Sequence, residues 1–286
     1  MALAAGAMLA AGLACAGETL ASRVALPEPE VIATFEGAGM RDVGPHVLTQ
    51  AERARVEAAL SSLPALHRRI LGQKLRRLSF VDGIPGQGTG LTSQVGDSDR
   101  FDITLRASLF DESLSEFLTT KERRLFEPDG SGRTLTVEAS GADALFYVLL
   151  HEASHVVDST LGLSSKDGPF AAGIWQDRST LAPGLASSPA ATTTFRRGAR
   201  IPLGRADGIY DALALTPFVS LYATAAAPED LAEFITWRHI AAQRQGRLTI
   251  TLVDAVGKPI KRYEPLSFPA VKARMDRAGA LLRDAG

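Results

Sequence analysis

One stretch constrains this chain more than any other: Ser140 to Gly162, SGADALFYVLLHEASHVVDSTLG, where an almost unbroken apolar run carries His151, Glu152 and His155. Ser140 with Asp143 three residues later resembles a capping box, and Gly162 stands where a helix C-terminus ends. The pattern predicts a helix over about 141–161. Leu149, Leu150, Val156 and Val157 make that helix largely buried, so its three polar side chains need partners in the interior. On a helix, positions i and i+4 lie one above the other. Both imidazoles of this H-E-x-x-H pattern can therefore face one Zn²⁺, one per chain, with Glu152 beside them to take a proton from water.

The remaining sequence can enclose such a helix. Of 286 residues 45% are hydrophobic and 22% charged, enough for a sizeable core in one domain or two small ones. Lys plus Arg (31) nearly balance Asp plus Glu (32), which leaves no drive toward a polyanion and argues against nucleic acid as a partner. Met1 to Gly17 is apolar but shorter than a spanning helix, so residues 1–16 are expected to be a signal peptide and the protein to be exported. Cleavage after Ala16 competes with lipidation of Cys15, the only expected membrane attachment. Cys15 is the sole cysteine, so an intramolecular disulfide is excluded.

Residues 17–45 read as a linker, broken by prolines between Leu26 and Glu30. Thr49 is placed to cap a helix, and Leu66 to Leu71 continues as a second, with Gly72 just past its end. Leu75 to Val81 and Phe101 to Leu105 read as strands separated by a loop whose Gly86, Gly88 and Gly90 are turn glycines, since no G-K-[ST] follows. Ser113 to Phe126 is a further helix, Arg247 to Val253 and Ile260 to Tyr263 a hairpin, and Pro269 to Leu282 a last helix.

Two imidazoles do not complete a catalytic zinc site, which usually takes three protein ligands. A metzincin continuation needs a glycine at 158 and a histidine at 161, but Asp158 and Leu161 stand there. His46, His67 and His239 remain, the last at the far end of a helix over about 228–244. Carboxylates are better placed. Pro228 suits the first turn of that helix and Glu229 and Asp230 its positive end, so Glu229 and Glu233 lie one turn apart on one face. One can ligate the metal while the other holds an imidazole. Asp158, one turn beyond His155, either orients an imidazole or faces solvent.

These residues resemble the gluzincin branch of zinc metallopeptidases, in which HExxH is followed downstream by a helix bearing a ligand glutamate. The closer resemblance is to the anthrax lethal factor family of catalytic domains and related bacterial peptidases. The shared elements are His155-Val156-Val157-Asp158, a Ser220-Leu221-Tyr222 segment with Tyr222 seven residues before Glu229, and Glu229-Asp230-Leu231-Ala232-Glu233. The resemblance covers Ser140 to His239. It implies His151, His155 and Glu229 as ligands, Glu152 as general base, Tyr222 as donor to the developing oxyanion, and Glu233 and Asp158 behind the ligands.

It also implies an α+β zincin-like domain over 46–286, with a small twisted sheet, an active-site helix and a mostly helical C-terminal lobe. Phe101 to Leu105 is expected to be the sheet edge to which an extended protein or peptide substrate adds. The gap from Ser164 to Gly208 is longer than the family's, and its Trp175 and Arg178 either cover the cleft or sit on a surface loop. The implied activity is peptide hydrolysis. The alternatives are a catalytically inactive zincin-fold binding module and a zinc amidase acting on cell-wall peptide.

Overall fold

The computed structural model describes residues 19–284. The expected signal peptide over 1–16 and Cys15 lie outside them. The chain is α+β. In order it forms α1 (Pro29–Gly37), β1 (Arg41–Pro45), α2 (Gln50–Ser61), α3 (Ala65–Lys74), β2 (Leu75–Ile84), β3 (Gly90–Gln94), β4 (Phe101–Arg106), α4 (Leu114–Arg123), β5 (Phe126–Glu127) and β6 (Thr134–Ala139). Then come α5 (Ala144–Leu161), α6 (Pro183–Ala186), β7 (Ile201–Pro202), α7 (Ala206–Ala214), α8 (Ala227–Arg244), β8 (Leu248–Val253), β9 (Pro259–Tyr263) and α9 (Pro269–Asp284).

Thr49 and Ser113 each close a capping box with the glutamate three residues on, which fixes the starts of α2 and α4. The segment expected to be a linker is built into the fold from residue 19 onward. Pro29 opens α1 rather than breaking it, because a proline in the first turn gives up only an N–H that has no helical partner anyway. Ala25 N donates to Leu78 O at 3.0 Å, and β1 pairs antiparallel with β2. Gly72 lies inside α3 instead of past its end.

The first sheet has the order β1-β2-β4-β3, with β2 and β4 parallel and β3 antiparallel to β4. β4 is therefore central, which corrects its expected place at the edge. Its alternate residues are polar and partnered: Asp102 accepts from Arg76 Nε at 2.8 Å, Thr104 bonds Ser79 at 2.7 Å and Arg106 Nη2 reaches Glu112 at 2.6 Å, while Arg106 Nε is left without an acceptor. The edges are β1 and β3, the latter half-buried and inside the stretch expected to be loop. A second sheet, β6-β8-β9, is wholly antiparallel. Its β8–β9 pair is the hairpin expected over Arg247 to Val253 and Ile260 to Tyr263, and β6 joins it as a strand that was not expected.

Helix α5 runs beneath β3 and β4 and packs against α2, α3 and α8. Fourteen of its 18 residues are buried. It starts later than expected. Gly141 has a φ of 88° that turns the chain, Ser140 bonds Arg247 as an extension of the β6–β8 pair, and Asp143 is the N-cap, accepting from Phe146 N at 2.8 Å. Gly162 ends the helix in the left-handed conformation, φ 65°, as glycine does without strain. Among the described residues no helix is long and apolar enough to cross a membrane.

Candidate metal centre

Helix α5 presents His151 and His155 on one face, their rings 4.9 Å apart and nearly perpendicular. Helix α8 crosses it and brings Glu229, in its first turn, between them. Glu229 Oε2 lies 3.0 Å from His151 Nε2 and 3.5 Å from His155 Nε2. One ligand atom from each of the three residues falls within 4.8 Å of the others. Ligands held about 2.1 Å from a tetrahedral zinc stand about 3.4 Å from one another. The spacing and the His₂Glu donor set both fit that ion.

The charges of these groups depend on one another. Burial works against a charge on His151, but Glu229 and Glu233 outweigh it and push its pKa up to about 10. Burial likewise opposes ionisation of Glu229, yet the two imidazoles hold it well below the carboxylate range. Without a metal, protons supply the positive charge that a dication would supply between these groups.

Glu233, one turn after Glu229, is only 1% exposed. Its Oε1 accepts from Tyr147 at 2.5 Å and its Oε2 from Ser220 at 2.7 Å, while Lys121 Nζ stands 3.6 Å away. Burial would raise its pKa; Lys121, then His151 and Tyr147, bring it down to about 2. It faces His151 Nδ1 at 3.4 Å, off the axis of a hydrogen bond. Glu233 is thus close to the imidazole without accepting a hydrogen bond from it.

Asp158 is engaged elsewhere. Both its oxygens are taken by Ser164, whose N and Oγ donate at 2.7 and 2.5 Å, so it closes the turn that follows α5 instead of orienting an imidazole or facing solvent.

Glu152, 7% exposed, points from α5 toward β3, where Thr92 Oγ1 donates to its Oε2 at 2.7 Å and to its main-chain oxygen at 3.0 Å. Gly90, read as a turn glycine, is the strand residue facing this carboxylate. A Cβ there would stand 2.6 Å from Glu152 Oε1.

Tyr222 sits on a short 3-10 turn, its ring 5.8 Å from that of His151 and capped by Phe195 at 4.9 Å. Burial, then the charges of Glu229 and Glu152, raise its pKa well above 10. The phenol therefore keeps its proton and remains a donor. His151, Glu152 and Tyr222 line one cleft of about 460 Å³, together with Gly88 to Gly90 and Phe195.

The other histidines are elsewhere. His46 pairs with Asp82 and Glu52, His67 bonds Ser154, and His239 stacks on Phe146. The segment from Ser164 to Gly208 reaches the cleft through Thr194, Phe195 and Arg200. Trp175 is instead buried with its Nε1 donating to Asp230 at 2.9 Å, and Arg178 O receives Ala227 N at 2.8 Å, so both secure the start of α8. Sequence reasoning missed Tyr147, Thr92 and Lys121. Tyr147 alone carried a signal, four residues before His151 and so on the same helix face. No family model, curated protein or solved structure gives a significant match to this chain.

Proposed function

We propose that the chain is a zincin-type zinc peptidase, with His151, His155 and Glu229 as the ligands of one Zn²⁺. The observation that carries this reading is the convergence of His151 Nε2 and His155 Nε2 on Glu229 Oε2, at 3.0 and 3.5 Å, beside an open cleft into which Glu152 also faces. Zinc bound there would polarise a scissile carbonyl and bring the pKa of water toward neutrality.

The chain's own residues would do the rest. Glu152, steadied by Thr92, takes the proton of the attacking water and returns it to the leaving amine. Tyr222, protonated at any working pH, donates to the oxyanion as it forms. Glu233 stands behind His151, its charge beside Nδ1. The edge strand β3 offers main-chain partners to an extended substrate beside Glu152.

Turnover of a peptide mixture by the zinc-loaded protein and by Glu152→Gln tests the assignment. Loss of a general base is expected to cost about 10²- to 10⁴-fold in rate with metal content unchanged. Activity within a few-fold of wild type in that variant would remove Glu152 from the mechanism.

A further inference from the structure

The cleft carries positive charge that the proposed chemistry does not use. Arg106, Lys121, Arg124 and Arg200 all line it, and among the described lining residues Glu152 is the only carboxylate. The chain as a whole has a net charge of −1, so this is a local accumulation and not a reflection of a basic protein.

Three of the cations have partners inside the fold, Arg200 through the main-chain oxygen of Phe126. Lys121 lies 3.6 Å from Glu233 and equally close above the Tyr222 ring. Arg106, 3% exposed, gives its Nη2 to Glu112 at 2.6 Å, but its buried Nε has no hydrogen-bond partner. Arg124 forms no ion pair among the described residues, and its charge acts against that of Arg106. It also lines, with Arg200, a shallow groove that leads off between Gly39 and Pro85. Among the described residues Arg124 has no counter-ion and Arg106, beyond its pair with Glu112, keeps a buried N–H without an acceptor, and an anion between them would complete both. The edge of a guanidinium matches the planar, two-oxygen face of a carboxylate.

We propose that the cleft selects peptides with an acidic side chain, aspartate or glutamate, next to the scissile bond, held by Arg106 and Arg124. This rests on the peptidase reading and specifies its substrate class. Arg124 is the residue to test, because it is partly exposed and unpaired, whereas removing Arg106 would strand Glu112.

Matched peptides carrying Glu, Gln or Lys at one position, scanned across the cleavage site, are compared with the zinc-loaded wild type and with Arg124→Glu. Wild type is expected to favour Glu over Gln by about tenfold in kcat/KM at one position and to disfavour Lys. Arg124→Glu is expected to reverse the order. Binding of the same peptides to Glu152→Gln is read by calorimetry, and the preference for Glu should shrink as salt shortens the screening length. Acid-selective binding without cleavage by wild type would uphold the charge recognition and remove the peptidase reading. Cleavage indifferent to charge, an unchanged order in Arg124→Glu, or neither binding nor cleavage would overturn the inference, the first two leaving the peptidase reading in place.

Discussion

Glu233 and Glu122 are both buried carboxylates beside Lys121, and they titrate in opposite directions because only one meets enough positive charge. Glu233 has Lys121, His151 and two hydroxyl donors; Glu122 has one strong donor, Tyr210 at 2.5 Å. Burial therefore dominates at Glu122 and lifts its pKa from 4.5 to about 7. Between those values the folded protein holds a proton that the unfolded chain has released, so stability falls as pH rises through that window, and the cost is fully present above pH 7. The shift corresponds to about 3 kcal/mol. Glu122→Gln keeps an acceptor for Tyr210 and has no charge to bury. Its stability relative to wild type is expected to rise by about that amount between pH 4 and pH 8 in urea unfolding. Parallel stability curves would show that Glu122 is not the group that titrates. At this scale the sequence was informative where residues share one helix. His151, Glu152 and His155 follow from spacing, and Glu229 with Glu233 from theirs. Lys121 and Thr92 were invisible because they arrive from other elements, and Asp158 was misjudged because its partner, Ser164, lies beyond the helix end.

Among the elements, β3 and β4 were the hardest to read. Phe101 to Arg106 alternates apolar and polar residues like a half-solvated strand, yet all six are buried, with Arg76, Ser79 and Glu112 as partners on the polar side. Gly90 to Gln94 has neither alternation nor a strong apolar residue beyond Leu91, so it reads as loop. Pairing with β4 makes it a strand and places its glycine against Glu152. Gly90→Ala should force either β3 or the Glu152 carboxylate to move, because the new methyl falls well inside contact distance. The expected result is a loss of at least about tenfold in kcat, with zinc content and melting temperature little changed. Wild-type turnover in Gly90→Ala would mean that the glycine is there for the strand and not for the base. The helices α2 and α4 were legible because caps and apolar spacing agree locally, α5 from its apolar run and Gly162, and α8 from Pro228 and the acidic first turn.

Asp230 ties together three regions remote in sequence. It is fully buried in the first turn of α8, accepts from Trp175 in the long insertion, and receives both terminal nitrogens of Arg274 on α9 at 2.8 and 2.7 Å. This junction fixes the helix end that carries Glu229. Burial pushes the pKa of Asp230 up even so, which makes it dependent on its partners. Arg274→Met would leave that charge unpaired and is expected to cost about 3–5 kcal/mol, with much of the loss regained in the double variant Asp230→Asn, Arg274→Met. A single variant as stable as wild type would show that the junction contributes little. The α+β character of the whole was legible in the sequence. The pairing of Ala25 and β1 with β2, and the anchoring of the insertion through Trp175, were not, because both depend on long-range pairing that leaves no local pattern.

The most direct test of the account is the zinc held by the purified chain after loosely bound metal is removed, in wild type, Glu229→Ala and Glu152→Gln. About one zinc per chain is expected in wild type and in Glu152→Gln, with a clear fall in Glu229→Ala. Equal zinc in wild type and Glu229→Ala, or none in wild type, would contradict a centre built from His151, His155 and Glu229.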